Sequence, residues 1–357
     1  MRDAWGDAII ANLLTGFLGS GKTSLLKRLL RLPNLKDTAV LINEFGEVGL
    51  DHLLIEEVDE EIVLLKSGCV CCTIRGDLKD ALVRLHGRRQ RGEVPPFTRL
   101  VIETTGLADP APILATLSTD AMLRHHFRIG NVVTTVDAVA GAHNLRVYPE
   151  CARQAAIADR LVLSKIDLAS LEEIASLRGQ LSRLNPAAEI SESAEDTEAF
   201  PALLTHDVHD ETTRPEQIRR WLSVEENHPE HSHEHAHADR NRHGDIRALV
   251  LTADTPLDWA SFALWLSMLL NRHGTKVLRL KGLVAIEGRD APVVVQGVQH
   301  LIHKPTHLDR WPDDDRRTRL VAIVDGLESA MLHRSFAAFM RLRSARPAFI
   351  KARKRAI

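Results

Sequence analysis

The feature that most constrains this chain is the run Gly16-Phe17-Leu18-Gly19-Ser20-Gly21-Lys22-Thr23, set between an apolar stretch and a leucine-rich helical pattern. In a G-x-x-x-x-G-K-T loop the glycines let backbone N–H groups turn inward around phosphates, and the following helix N-terminus adds partial positive charge. Lys22 then reaches the β/γ oxygens and Thr23 offers a hydroxyl to Mg2+. Gly16, Gly19, Ser20, Gly21, Lys22, Thr23 and Ser24 form the expected nucleotide-binding set, with Lys22 and Thr23 also expected in catalysis. The alternative, a glycine turn without chemistry, does not account for the strand before the loop and the helix after it.

Short β-branched runs alternate with helical patterns through the first half, at Ile9 to Thr15, Thr38 to Ile42, Glu61 to Leu65, Arg99 to Glu103, Asn131 to Asp137 and Arg160 to Ser164. Near-continuous apolar strands separated by helices predict an α/β fold, a P-loop NTPase parallel sheet with helices on both faces. Leu25, Leu26, Leu29 and Leu30 recur at helical spacing, and Pro33 closes that helix. Around residues 190 to 245 the pattern dissolves into polar, histidine-rich sequence. Regularity returns with strands expected at Ile246 to Thr252, Val277 to Ile286, Val293 to His300 and Leu320 to Val324, and an amphipathic segment from Leu257 to Arg272. The expected organisation is a P-loop nucleotide-binding domain at 1–195, a polar linker at 196–245, a smaller α+β C-terminal domain at 246–330, and a helical, basic tail at 331–357. Nothing is assigned to that tail.

Two further segments fit a nucleotide switch. Glu103 ends the fourth strand in Glu103-Thr104-Thr105-Gly106, where a strand-end acid can hold Mg2+ through water and the Gly106 amide can sense the γ-phosphate. The sixth strand ends in Ser164-Lys165-Ile166-Asp167. An Asp in such a box accepts hydrogen bonds from the N1–H and exocyclic amine of guanine, the Lys stem packs on the base, and adenine offers no matching donors. Lys165 and Asp167 are therefore the expected base-recognition pair, with a plain surface ion pair as the alternative.

Three of the four cysteines are packed into Cys69-Val70-Cys71-Cys72. Thiolates are soft donors suited to Zn2+, Cu(I) or other late metals, and three of them leave a fourth tetrahedral place open, which suits transfer. A redox thiol cluster and chance packing are the competing readings. Cys151 reads as a packed core residue. His228, His231, His233, His235, His237 and His243 lie among acids and polar residues, where neutral imidazoles can bind zinc, cobalt or nickel loosely. A solvated linker with adventitious affinity is the equal alternative.

Composition is that of a globular protein, 44% hydrophobic and 26% charged, and the formal net charge of −2 supplies no global attraction to nucleic acid or anionic membrane. The first residues lack a signal-peptide pattern, and no apolar stretch approaches a membrane span. A cytoplasmic protein with reduced thiols is expected.

Taken together, GFLGSGKTSLL, NEFGEVGLD, SGCVCC, ETTGLADP and SKID resemble the CobW-like family of metallochaperone GTPases, and HGTKVLRLKGLVAIEG with VVVQGVQHL resembles that family's C-terminal domain. The resemblance covers nearly the whole chain except the histidine-rich stretch. It implies GTP hydrolysis coupled to binding a transition metal, zinc first and cobalt second, and delivery to a client metalloprotein. It implies Cys69, Cys71 and Cys72 as metal ligands, with Glu44 and Glu47 near the γ-phosphate, the metal or both; His231, His233, His235 and His237 are candidate ligands on their own chemistry and not through the resemblance. Ser164 stands where the family usually carries Asn, and Ile42 where some relatives carry Glu. A cobalt- or iron-inserting activator of a cobalamin or nitrile hydratase system, a histidine-loop metal buffer and a P-loop small-molecule kinase are the alternatives. The sequence leaves oligomeric state open, a homo-oligomer included.

Overall fold

The computed structural model describes residues 8–43, 55–59, 62–65, 70–73, 78–193, 199–206, 218 and 246–341. The first domain runs β1 (Ile9–Gly16), α1 (Lys22–Leu29), β2 (Thr38–Asn43), β3 (Ile55–Asp59), β4 (Ile62–Leu65), β5 (Val70–Thr73), α2 (Leu78–Gln90), β6 (Arg99–Thr104), α3 (Ala111–Thr119), α4 (Leu123–His126) and β7 (Phe127–Asp137). It continues with α5 (Gly141–Val147), α6 (Pro149–Ile157), β8 (Arg160–Ser164), α7 (Leu171–Leu184), β9 (Glu189–Glu192) and α8 (Ala199–Thr205). The second comprises β10 (Ile246–Ala253), α9 (Trp259–His273), β11 (Val277–Val284), β12 (Val293–Val298), β13 (Leu301–Ile302), β14 (Thr306–His307), β15 (Thr318–Asp325) and α10 (Ser329–Met340).

The first sheet has the order β3-β4-β5-β2-β6-β1-β7-β8-β9. From β5 to β9 every neighbouring pair is parallel, as the apolar runs predict. The expectation fails at one edge: β4 pairs antiparallel with both β3 and β5, so Ile62–Leu65 contributes to a meander and not to the parallel core. Alternation along the strands distributes the core. Leu13, Leu41 and Ile102 join α2, α3 and α6 on one face, whereas their neighbours Leu14, Ile42 and Val101 join α1 and α8 on the other. Local chemistry fixes the helix starts: Ser170 and Glu173 form a capping box on α7, Asp258 caps α9 through the Ser261 N–H, and Pro149 occupies the first turn of α6. Helix α8 lies inside the stretch expected to be linker. It buries Phe200, Leu203 and Leu204 against the sheet.

The second domain is an antiparallel sheet ordered β10-β15-β11-β12-β13, with β14 paired to β12. Helices α9 and α10 cover one face through Phe262, Trp265, Leu332 and Phe336. Helix α10 thus straddles the boundary expected at residue 330. The other face meets the first domain: Leu278, Val298 and Ile323 pack with Ala156 and Ile157 of α6. At that junction the Asp159 carboxylate accepts from Arg279 and from Lys281 at 2.5 Å, and from the Val132 N–H at 2.9 Å. Among the described residues no helix is long and apolar enough to cross a membrane.

Candidate functional site

The loop between β1 and α1 takes a shape that only glycine permits. Gly16, Gly19 and Gly21 have φ of 143°, 70° and 87°. A Cβ on Gly16 would stand 2.3 Å from Thr135 Oγ1 and 2.7 Å from Ser20 Oγ. Side-chain hydroxyls lock the loop from below: Ser20 shares a 2.7 Å hydrogen bond with Thr135, and Ser164 donates to the Ser20 carbonyl at 2.7 Å. Ser164, the position that departs from the family pattern, therefore binds the phosphate loop itself. Lys22 Nζ donates to the Gly16 and Phe17 carbonyls at 2.9 and 3.2 Å, which places the ammonium over the loop mouth. Ser24 is exposed on α1.

Parallel pairing of β1 with β6 brings Glu103 to the same edge. Thr23 Oγ1 donates to Glu103 Oε1 at 2.7 Å, and Glu103 is buried. A hydroxyl and a carboxylate side by side at a helix start are hard oxygen donors, a set that fits Mg2+. Two residues past β6, Gly106 abuts the phosphate loop so closely that a Cβ there would lie 2.7 Å from the Leu18 nitrogen. The loop after β6 and the phosphate loop are one packed unit.

Lys165 sits at the end of β8 with φ of 55°, and its ammonium meets Asp137 Oδ2 at 2.5 Å. Burial pushes the Asp137 carboxyl up, but the Lys165 hydrogen bond and the Ala140 and Val139 N–H groups outweigh it and hold the group below its usual range. Asp137 thereby fixes the Lys165 stem, while Asp167 stays exposed on the turn Ile166–Leu168. Asp137 and Gln154 escaped the sequence reading. Gln154 is buried on α6 and donates to the Gly106 and Ala108 carbonyls at 3.1 and 2.9 Å. The only sequence signal for Asp137 is an acid ending an apolar strand; Gln154 has none.

Cys71 and Cys72 lie within β5, opposite Val40 and Leu41 of β2, so this part of the cluster is strand and not the loop after one. Cys69, Glu44, Glu47, His231, His233, His235 and His237 lie outside the described residues. No group of three or more His, Cys, Asp or Glu side chains that could hold a metal occurs among the described residues. Cys151 is buried in α6 and its thiol is pushed up to about 12, by burial first and then by Glu150, which leaves it inert.

A parallel sheet, a glycine-cradled phosphate loop, a Thr–Glu pair at its mouth and a Lys–Asp box define a P-loop nucleotide-binding protein. The CobW/HypB/UreG nucleotide-binding domain model matches residues 10–192, and the cobalamin synthesis protein CobW C-terminal domain model matches residues 246–340. The chain belongs to the CobW/HypB/UreG family. It is 32% identical over 330 residues to the zinc chaperone YjiA of Escherichia coli, covering 92% of this chain and 98% of that one. To the zinc chaperone CobW of Pseudomonas aeruginosa it is 30% identical over 355 residues, covering 90% of this chain and 88% of the relative. The crystal structure of zinc-bound YjiA GTPase from E. coli superposes with a TM-score of 0.70 at 31% identity, covering 93% of this chain and 99% of that one.

Proposed function

We propose that this chain is a cytoplasmic GTP-hydrolysing metallochaperone that takes up zinc at Cys69, Cys71 and Cys72 and passes it to a client metalloprotein. Relatives named zinc chaperones along nearly the whole chain support the class of cargo. The observation that carries the coupling is a matter of backbone register. β5, with Cys71 and Cys72, pairs with β2, and β2 pairs with β6, which carries Glu103. Ile42 lies opposite both Thr73 and Glu103, so the thiolate strand and the phosphate edge share one strand between them. At about 4.8 Å per strand, β5 and β6 are roughly 10 Å apart.

In this reading Lys22 and the loop N–H groups bind the β- and γ-phosphates, and Thr23 with Glu103 holds Mg2+. The ion, when bound, would neutralise charge on the phosphates. Gly106 presents its N–H to the γ-phosphate, Asp167 selects guanine, and Lys165, steadied by Asp137, packs on the base. Phosphoryl transfer relies on positioning and electrostatics more than on a protein base, so intrinsic turnover is slow. Reciprocity follows from linkage: if GTP changes zinc affinity, zinc changes GTP affinity by the same factor, and a coupling of about 1–3 kcal/mol is roughly 5- to 150-fold.

The test is a zinc titration of apo-protein with Mg2+ and GDP, then with a non-hydrolysable GTP analogue, in wild type, Cys71→Ser and a form lacking residues 228 to 243. Tight binding that depends on nucleotide, survives the deletion and weakens in Cys71→Ser is expected. Binding that is blind to nucleotide and lost with the deleted stretch would make the protein a metal buffer, and a preference for Co2+ would favour the cobalt-inserting alternative.

A further inference from the structure

Helix α6 and the residue before it reach the phosphate loop and the loop after β6, and the helix also packs on the second domain. Just before its start, Tyr148 stacks on Phe17 of the phosphate loop with ring centroids 4.6 Å apart. In its middle, the buried Gln154 amide donates to Gly106 and Ala108, both in the loop that packs on Leu18. Next to it Arg153 makes a 3.0 Å ion pair with Asp325 at the end of β15. At its end Ala156 and Ile157 pack with Leu278, Val298 and Ile323, and Asp159 takes Arg279 and Lys281. A second, direct strap joins the same loop to the second domain, where Gln299 Nε2 lies 3.5 Å from Asp109 Oδ2.

We propose that Gln154 is a positioning residue that sets the Gly106 amide toward the γ-phosphate and transmits displacement of that loop, through α6, to the second domain. This rests on the GTPase reading above. Only the NH2 end of an amide can donate to two carbonyls, so Gly106 and Ala108 fix its orientation. The other end, Oε1, is buried and has no hydrogen-bond partner among the described residues. A buried acceptor left unsatisfied is a standing cost. The Thr134 hydroxyl ties the Gln154 carbonyl to β7 at 3.0 Å, so the side chain answers to the loop while its backbone stays with the sheet. Closely packed elements with discrete arrangements convert a small shift at one site into repacking at another.

The experiment compares full-length wild type and Gln154→Leu for GDP affinity, for GTP turnover, and for hydrogen exchange in Val277–Val284 with GDP against a non-hydrolysable GTP analogue. The expected result is GDP affinity within about twofold of wild type, kcat lowered about tenfold with little change in KM, and loss of the nucleotide-dependent exchange difference. A purely structural role would instead move GDP affinity and leave the analogue-minus-GDP difference intact. Wild-type kcat in Gln154→Leu, or an exchange difference that persists undiminished, overturns the proposal. So does a wild-type protein that hydrolyses GTP with no exchange difference at Val277–Val284. A wild-type protein that binds GDP but never hydrolyses GTP overturns the GTPase reading, and this proposal with it. Should Gln154→Leu fail to fold, the half-exposed Arg153→Ala keeps turnover and shrinks the exchange difference; an undiminished difference there overturns the transmission through α6.

Discussion

At the phosphate end of the site the Lys22 ammonium is held over the loop by two carbonyls of the loop itself, ready to exchange them for phosphate oxygens. Lys22→Ala removes the one side-chain cation of the loop, so GTP hydrolysis should be abolished in a phosphate-release assay; unchanged release would contradict the assignment. At the base end, Asp167→Ala removes a charged acceptor for two donors of guanine. Hydrogen bonds to charged groups contribute about 1.5–3 kcal/mol, so the preference for GTP over ATP should fall roughly 10- to 150-fold in a competition measurement. A preference that survives intact would place base recognition elsewhere. Both residues were legible in the sequence because their motifs are local, with spacing and flanking pattern carried in a few residues. Asp137 and Gln154 were not, since each acts on a partner 28 or 48 residues away that only the fold brings near.

Between elements, α2 and α4 meet through an aromatic contact that titrates. The His86 ring stacks on His126 with centroids 4.0 Å apart, and His125 meets His126 edge-on at 4.8 Å. Burial, then repulsion from His126 and Arg89, holds the His86 pKa below its usual value; burial, then His125, does the same to His126. A histidine whose folded pKa is depressed stabilises the fold most above its unfolded pKa near 6.5. That contribution is lost as the pH falls below 6.5, because the unfolded chain takes up the protons more readily. Thermal stability should therefore drop from pH 7.5 to pH 5.5, and His86→Phe, which keeps a stacked ring without a charge, should flatten that drop. An equal drop in both proteins would remove this pair from the account. Strands β3 and β5 were not legible in the sequence: Ile55–Asp59 carries three acids in five residues, and Val70–Thr73 is a four-residue strand half made of cysteine. Neither has the β-branched run by which the parallel core announced itself.

Across the whole molecule, the two domains are joined by a buried ionic cluster centred on β11. Arg279 and Lys281 lie within β11, nearly inaccessible to solvent, and one carboxylate, Asp159, faces both. Burial pushes the Asp159 carboxyl up, but the two cations and the Val132 N–H hold it well below the usual carboxylate range. Burial also brings Lys281 down to about 8, against the upward pull of Asp159. The signs then separate. The Asp159 contribution is present above the unfolded carboxylate pKa near 4 and is lost as the pH falls below it. Lys281 opposes folding while it is charged, so its share of the stability improves as the pH rises from about 8 towards 10.5. Removing the carboxylate takes away the counter-charge that Asp159 supplies to two buried cations, whereas removing all three charges leaves none to compensate. Asp159→Asn should therefore lower unfolding stability by about 3–5 kcal/mol, and the triple change Asp159→Leu, Arg279→Met, Lys281→Leu should restore most of it. Denaturant unfolding of the full chain at pH 7 measures both. If the single variant matched wild type, Asp159 would not be what holds the second domain to α6; if the triple variant were no better than the single one, the junction would depend on ion-pair geometry and not on relief of buried charge.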